Sequence, residues 1–150
     1  MSLHAFSFPT PTVFGSGAIS ELPKRSQLLA LRRPLVVTDS GFVATDAFRT
    51  FSEVLGTSAQ GRDWFLYSGV HPNPIEQDVR EAAQFFCQNG CDGVIALGGG
   101  SPLDVGKAAR LLVKRPGYDL TKFYEERDWS GLAPCIAIPT TAGKIGRAHV

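Results

Sequence analysis

The 150-residue sequence predicts an α/β fold built as a Rossmann-like, doubly wound parallel sheet. Short apolar runs alternate along the chain with longer segments of helical periodicity, which is the pattern of parallel strands joined by crossover helices. One of these runs, at 94–97, leads directly into three glycines and then into a segment with the start signals of a helix. Hydrophobic residues make up 43% of the chain and charged residues 19%, which is typical of a globular domain with a core of its own.

The chain is expected to begin with an irregular segment or an edge strand. Prolines and aromatic residues are mixed from Ala5 to Phe14, and a sheet tolerates proline only in edge strands or irregular segments. After a break at 15–17, apolar spacing predicts a helix over 18–31 that Pro23 interrupts or delays. The elements predicted after this are, in chain order, a strand at 34–38, a helix at 42–55, a polar loop at 56–61, a strand at 64–67, a helix at 75–89, the strand at 94–97, a helix at 102–114, an irregular segment at 118–133 and a strand at 135–138.

The glycine run after the central strand is the first candidate binding element. Gly98, Gly99 and Gly100 have no Cβ, so the backbone there can turn sharply and approach a ligand closely. We expect Ser101 to be the N-cap of the following helix, with Pro102 at its first position. Free N–H groups and the positive end of the helix dipole favour a phosphate at this turn, whereas the alternative is a tight turn without a ligand. Neither the G-x-G-x-x-G pattern nor the P-loop pattern is present.

Several polar residues are expected to lie along the same rim as the glycines. Ligands of parallel α/β sheets bind beyond the carboxyl ends of the strands, and Asp39, Asn73, Thr140 and Thr141 all follow predicted strands. Asp39 either accepts hydrogen bonds from ribose hydroxyls or forms a turn. Asn73, between two prolines, either contacts a base or ribose or caps the next helix. The two threonines are either ligand contacts or ordinary loop residues.

Composition argues against several other classes of function. The formal net charge of +1 gives no electrostatic case for nucleic acid or an anionic membrane. No segment resembles a secretory signal, and no apolar segment approaches the roughly 20 residues that cross a bilayer. The three histidines lack the spacing of a metal site, and the three cysteines are expected to be buried, reduced thiols. We therefore expect a cytoplasmic protein without nucleic-acid or membrane partners.

The run Gly-Gly-Gly-Ser-Pro-Leu-Asp-Val-Gly-Lys at 98–107 resembles the G-G-G-S-x-x-D-x-x-K motif of the iron-containing (group III) alcohol dehydrogenases. The segments at 13–17, 36–39, 72–74 and 136–143 resemble other landmarks of that family, in the same order. The resemblance implies an NAD-binding N-terminal domain. It places the pyrophosphate on Gly98, Gly99, Gly100 and Ser101, the adenosine ribose at Asp39, the adenine end near Asn73, and the nicotinamide side near Thr140 and Thr141.

The same resemblance implies an activity. The family interconverts primary alcohols or diols and their aldehydes by hydride transfer with NAD(P), and Fe²⁺ or Zn²⁺ polarises the substrate oxygen. The small alcohol or aldehyde is then the expected partner, and the full-length enzyme is expected to be a homo-oligomer. No catalytic residue and no metal ligand can be assigned in this chain, because the family's ligands lie in a C-terminal helical domain.

The sequence departs from the family pattern after Gly143. There the expected T-T-A-G-T-x-S-E-like loop is replaced by 144–150, and residues 145–150 match what a common sequencing adapter would encode. We expect 1–150 to be an N-terminal dinucleotide-binding domain with a native match to about 143, a non-native tail and no C-terminal domain, and to be inactive alone. Two alternatives stay open: a relative similar to glycerol dehydrogenase or dehydroquinate synthase, and a non-catalytic nucleotide-binding module.

Overall fold

The computed structural model describes residues 4–7, 10–58 and 63–141. Near its start, strands β1 (His4–Ser7) and β2 (Pro11–Phe14) pair as an antiparallel ribbon. Both strands of this two-stranded ribbon are edge strands, which is one of the two alternatives that the prolines predicted. A 3₁₀ turn at Ala18–Glu21 then leads into helix α1 (Leu22–Leu28), which carries Pro23 in its first turn, where proline is tolerated.

The main sheet has four parallel strands. They are β3 (Pro34–Val37), β4 (Phe65–Tyr67), β5 (Gly93–Gly98) and β6 (Cys135–Pro139), in the spatial order β4-β3-β5-β6. Val36 lies opposite Leu66 on one side and Ile95 on the other. Every residue of β3 and β5 is buried, as expected for central strands that are covered on both faces.

Helices cover both faces of this sheet. After β3 come α2 (Ser40–Val43) and α3 (Asp46–Ser58), and later α4 (Glu76–Gln88) and α5 (Gly100–Lys114). Alternate strand residues pack on opposite faces: one apolar cluster joins the sheet to α4 and α5, and the other joins it to α1 and α3. The predicted doubly wound α/β fold is therefore confirmed.

Several predicted elements have different bounds in the structure; the helix expected over 18–31, for example, is a 3₁₀ turn followed by α1, which ends at Leu28. The single helix expected over 42–55 is two helices, because Thr45 interrupts it and its Oγ1 accepts the Phe48 N–H at 3.2 Å, which starts α3. α3 then continues to Ser58, into part of the predicted loop. The segment at 118–133, expected to be irregular, contains a 3₁₀ turn at Leu120–Glu125.

The strand order sets where a ligand can bind. β3 is followed in sequence by β4 on one side, whereas β5 is followed by β6 on the other, so the winding reverses between β3 and β5. Ligands of open parallel sheets bind in the crevice at this switch point, beyond the carboxyl ends of the strands. Asp39 follows β3 there, and Gly98 ends β5.

Candidate functional site

The glycine turn connects the end of β5 to the start of α5. Gly98 has a φ of 137°, and Gly99 is extended with φ −76° and ψ −167°. A Cβ at position 98 would lie 2.9 Å from the Pro102 Cγ, so both the backbone conformation and the contact require glycine. The Gly98 carbonyl accepts the Thr140 N–H at 2.9 Å, which joins the ends of β5 and β6.

The prediction that Ser101 caps α5 is wrong. α5 begins at Gly100 and its N-cap is Gly99, since Gly99 has the extended backbone of a cap and its carbonyl accepts the Leu103 N–H at 3.4 Å. Ser101 is the second helical residue, and Pro102, which has no N–H, is the third. The N–H groups of Gly100 and Ser101 lie in the first turn and have no acceptor within the helix.

The Ser101 hydroxyl makes a long-range contact instead of a cap. Its Oγ donates to the Pro72 carbonyl at 2.6 Å, 29 residues away in sequence. This hydrogen bond connects the first turn of α5 to the loop that follows β4.

Asp39 stands across the crevice from the glycine turn. Its Oδ1 accepts the Phe42 N–H at 2.8 Å and caps α2, which is the turn-forming role that the sequence left open. Its Oδ2 lies 3.6 Å from the position that a Gly98 Cβ would occupy. An isolated antiparallel bridge pairs the backbone of Asp39 with that of Gly69, so the segments after β3 and β4 are adjacent here, and the end of β5 lies beside the Asp39 carboxylate.

The loop that carries Asn73 is held by a residue that sequence reasoning missed. The Asp78 carboxylate, 0% exposed, accepts the His71 N–H at 3.1 Å and the Ile75 N–H at 3.2 Å through Oδ2. Its Oδ1 lies 2.7 Å from the His71 Nδ1. Ile75, not Asn73, is the N-cap of α4, so the capping alternative for Asn73 is wrong. An acidic residue in the first turn of a predicted helix was the signal available for Asp78.

The threonines follow the edge strand. The Thr141 Cγ2 and Oγ1 lie 3.6 and 3.8 Å from the position that a Cβ on Gly99 would take, which places this side chain directly beside the turn. Thr140 is tied to Gly98 through its backbone N–H. The rest of the predicted threonine motif and the suspected tail, 142–150, lie outside the described residues.

The predicted site residues are thus brought together in contacts around one crevice. Asp39 faces Gly98, Thr141 faces Gly99, and Ser101 is bonded to the residue before Asn73. The α5 side of the crevice offers N–H groups and hydroxyls, and the β3 side offers a carboxylate. Such an arrangement suits a ligand that carries an anionic group next to hydroxyl groups.

The expectation of buried thiols holds for Cys91, whereas Cys87 is exposed and Cys135 is half-buried. The thiols of Cys91 and Cys135 are not activated. Burial raises the pKa of Cys91 to about 11, and burial also raises the pKa of Cys135. Both thiols are therefore protonated near neutral pH, whereas a reactive cysteine needs a lowered pKa. Neither side chain is a candidate nucleophile.

A separate open pocket of about 270 Å³ lies between α4, α5 and the turn at Leu120–Glu125. Its wall is mainly apolar, with Ile75, Val105 and Phe123 among the lining residues. Its lining residues come from α4, α5, the turn at Leu120–Glu125 and positions 74–75, and none of them belongs to β3, β5 or the glycine turn.

Comparison with known proteins identifies the family. The model of the family described as iron-containing alcohol dehydrogenase matches residues 9–145. The chain belongs to the iron-containing alcohol dehydrogenase family. The resemblance read from the glycine motif is therefore confirmed.

Comparison with individual members of the iron-containing alcohol dehydrogenase family shows what share of their length this chain covers. The 4-hydroxybutyrate dehydrogenase of Cupriavidus necator is 36% identical over 132 residues, which cover 85% of this chain and 33% of that protein. The crystal structure of a 1,3-propanediol oxidoreductase matches with a TM-score of 0.77 and 32% identity, over 87% of this chain and 34% of that one. Sulfoacetaldehyde reductase from Bifidobacterium kashiwanohense, solved in complex with NAD⁺, matches with a TM-score of 0.69 and 28% identity, over the same shares. The chain spans about a third of the length of these relatives.

The residues that the structure describes do not form a site for the iron that the family's description names. Within 4–7, 10–58 and 63–141, no three His, Cys, Asp or Glu side chains are grouped so that they could hold a metal ion.

The helices in those same ranges are all too short or too polar to cross a membrane.

Proposed function

We propose that this chain is the cofactor-binding part of an NAD-dependent alcohol dehydrogenase, which interconverts a small primary alcohol or diol and its aldehyde. The observation that carries the proposal is the glycine turn at the switch point of the sheet, with Asp39 Oδ2 beside Gly98. The names of the relatives support the substrate class, since a hydroxybutyrate, a propanediol and a small aldehyde occur among them.

In this proposal the NAD pyrophosphate lies on Gly98, Gly99, Gly100 and Ser101. α5 has 15 residues, so its N-terminus carries the full partial positive charge of a helix dipole. The N–H groups of Gly100 and Ser101 lack helical acceptors, and phosphate oxygens are the ligands that such a helix start binds.

Asp39 is proposed to accept hydrogen bonds from the adenosine ribose hydroxyls. Its Oδ1 is occupied by the Phe42 N–H, whereas its Oδ2 faces the glycine turn. A carboxylate at this position repels a 2′-phosphate, so we expect NAD to bind better than NADP.

The strand order supports a dinucleotide that spans the crevice, and its direction follows from the family resemblance. Asn73 follows β4 at one side of the sheet, and Thr140 and Thr141 follow β6 at the other, with the glycine turn between them. A molecule that extends from Asn73 across the turn to the threonines has its adenine end near β4 and its nicotinamide end near β6.

Hydride transfer needs more than these residues. Bound NAD would supply the nicotinamide ring as the acceptor of a hydride from the alcohol carbon. This chain's own residues bind and orient the dinucleotide, and none of the described ones is proposed as a catalytic residue. We propose that residues 1–150 are an N-terminal domain and that the metal, Fe²⁺ or Zn²⁺, is held by a C-terminal domain, because the matched relatives are about three times longer.

One alternative has an observation in its favour. A nucleotide-binding module without catalysis agrees with the lack of a metal-ligand group among the described residues. The cytoplasmic location and the homo-oligomeric state of the full-length enzyme stay predictions.

The test is calorimetric titration of the chain with NAD⁺ and NADP⁺, before and after Asp39→Gly. We expect saturable NAD⁺ binding at least about tenfold tighter than NADP⁺ binding, a difference of about 1.4 kcal/mol, and a much smaller ratio in the variant. Gly117→Ala is the control, since a Cβ there has nothing within 4 Å. Equal binding of both cofactors by the unmodified chain contradicts the role of Asp39, and no binding of either contradicts the function.

A further inference from the structure

We propose that Asp78 is a positioning residue for the adenine end of the NAD site. The inference rests on the proposed function, because it concerns how the loop with Asn73 is held for the cofactor. Asp78 acts from a distance: it holds the loop at 71–75, and the loop in turn is bonded to the first turn of α5.

The burial of Asp78 is the first reason. A carboxylate that is 0% exposed is stable only when hydrogen bonds replace its lost hydration. Asp78 receives them from two backbone N–H groups, at His71 and Ile75, and its Oδ1 also contacts the His71 imidazole at 2.7 Å. All of these partners belong to one loop.

The position of these partners is the second reason. A residue that only caps α4 would need the Ile75 N–H alone. Two of the three contacts instead reach His71, which lies before Asn73 in sequence, while Ile75 lies after it. The carboxylate therefore holds the Pro-Asn-Pro segment at both ends.

The third reason is the link to the phosphate side of the site. Pro72 lies next to His71, and its carbonyl accepts the Ser101 hydroxyl at 2.6 Å. When Asp78 fixes the loop, it also fixes the acceptor that holds the second residue of α5. Asn73, at the proposed adenine end, and Ser101, at the proposed pyrophosphate position, thus both depend on one buried carboxylate.

The test compares two dinucleotides that differ only in the base, NAD⁺ and nicotinamide hypoxanthine dinucleotide. Calorimetry is carried out on the 150-residue chain and on Asp78→Asn, with folding checked by circular dichroism. We expect the unmodified chain to prefer the adenine form about tenfold, and the variant to bind NAD⁺ about tenfold more weakly with the preference reduced toward one. If Asp78 had a purely structural role, Asp78→Asn would weaken the binding of both dinucleotides equally.

Two further variants keep the test decisive. His71→Ala removes one contact from a side chain that is 61% exposed, so it should fold and should reduce the preference about threefold. Glu81→Gln is the matched control on the same helix, since Glu81 accepts from Tyr67 and Gln77 and should leave both affinities unchanged. Asp78→Asn combined with Ser101→Ala should weaken NAD⁺ binding by less than the product of the two single effects, because both act through Pro72.

The outcomes separate the inference from the proposed function. An unmodified chain that does not bind NAD⁺ refutes the function and this inference together. A chain that binds NAD⁺ but shows no base preference, or folded Asp78→Asn and His71→Ala variants that keep the full preference, overturns the inference alone.

Discussion

A methyl group at Gly99 tests where the nucleotide phosphates bind. The backbone at Gly99, with φ −76° and ψ −167°, is open to any L-residue, and the new Cβ would be in ordinary contact with Thr141 at 3.6 and 3.8 Å. We therefore expect Gly99→Ala to change the free energy of unfolding by less than about 1 kcal/mol, since the loss of N-cap preference offsets the reduced entropy of the unfolded chain. The methyl group would, however, occupy the crevice beside the N–H groups of Gly100 and Ser101. NAD⁺ affinity should fall at least about tenfold, or about 1.4 kcal/mol.

Gly98→Ala is the matched comparison, because we expect it to lower the stability of the fold through backbone strain and a close contact. Its φ of 137° strains any L-residue, and its Cβ would lie 2.9 Å from the Pro102 Cγ. We expect a loss of about 1–3 kcal/mol in the free energy of unfolding. Urea unfolding measures stability in both variants, and calorimetric titration with NAD⁺ measures binding.

Each of the two variants has a result that would contradict the account. A folded Gly99→Ala variant with unchanged NAD⁺ affinity would show that the pyrophosphate does not lie at this turn. Gly98→Ala with unchanged stability would show that the strain argument for the turn is wrong. Gly117→Ala, remote from the crevice, should change neither quantity by much.

Two other predictions concern packing and activity. Gly106→Ala should lower the free energy of unfolding, measured in urea, by about 1–3 kcal/mol, because its Cβ would lie 2.8 Å from the Ala96 Cβ where α5 packs on β5. Gly56→Ala is the control, since a Cβ at this position of α3 points into open space. Equal stability of the two variants would argue against close packing at Gly106. The 150-residue chain with added Fe²⁺ or Zn²⁺ should form no NADH from primary alcohols or diols, because the described residues include no group of metal ligands, and metal-dependent turnover would contradict the two-domain proposal.

Local patterns were enough to predict the strands and the glycine turn. The apolar runs at β3 and β5 are the two central strands, and the three glycines are the last residue of β5, the N-cap of α5 and its first residue. These features depend on residues that are neighbours in sequence. The rim of polar residues followed from the parallel sheet, since carboxyl ends of parallel strands share one edge.

What could not be predicted depends on contacts between distant segments. The Ser101 hydroxyl bonds to Pro72, 29 residues away, so nothing near Ser101 indicated that it would not be the cap. The tie from Asp78 to His71 spans seven residues, out of the helix and across two prolines. The break at Thr45 was missed because apolar spacing continues through it, although its hydroxyl starts a new helix.

The most direct test of the account is an amide chemical-shift titration of the ¹⁵N-labelled chain with NAD⁺. The account predicts saturable shifts with a single Kd, largest at Gly99, Gly100 and Ser101 and next at Thr141, where the crevice between β3 and β5 opens. Shifts confined to the groove between α4 and α5 around Phe123, or no shifts at all, would contradict it.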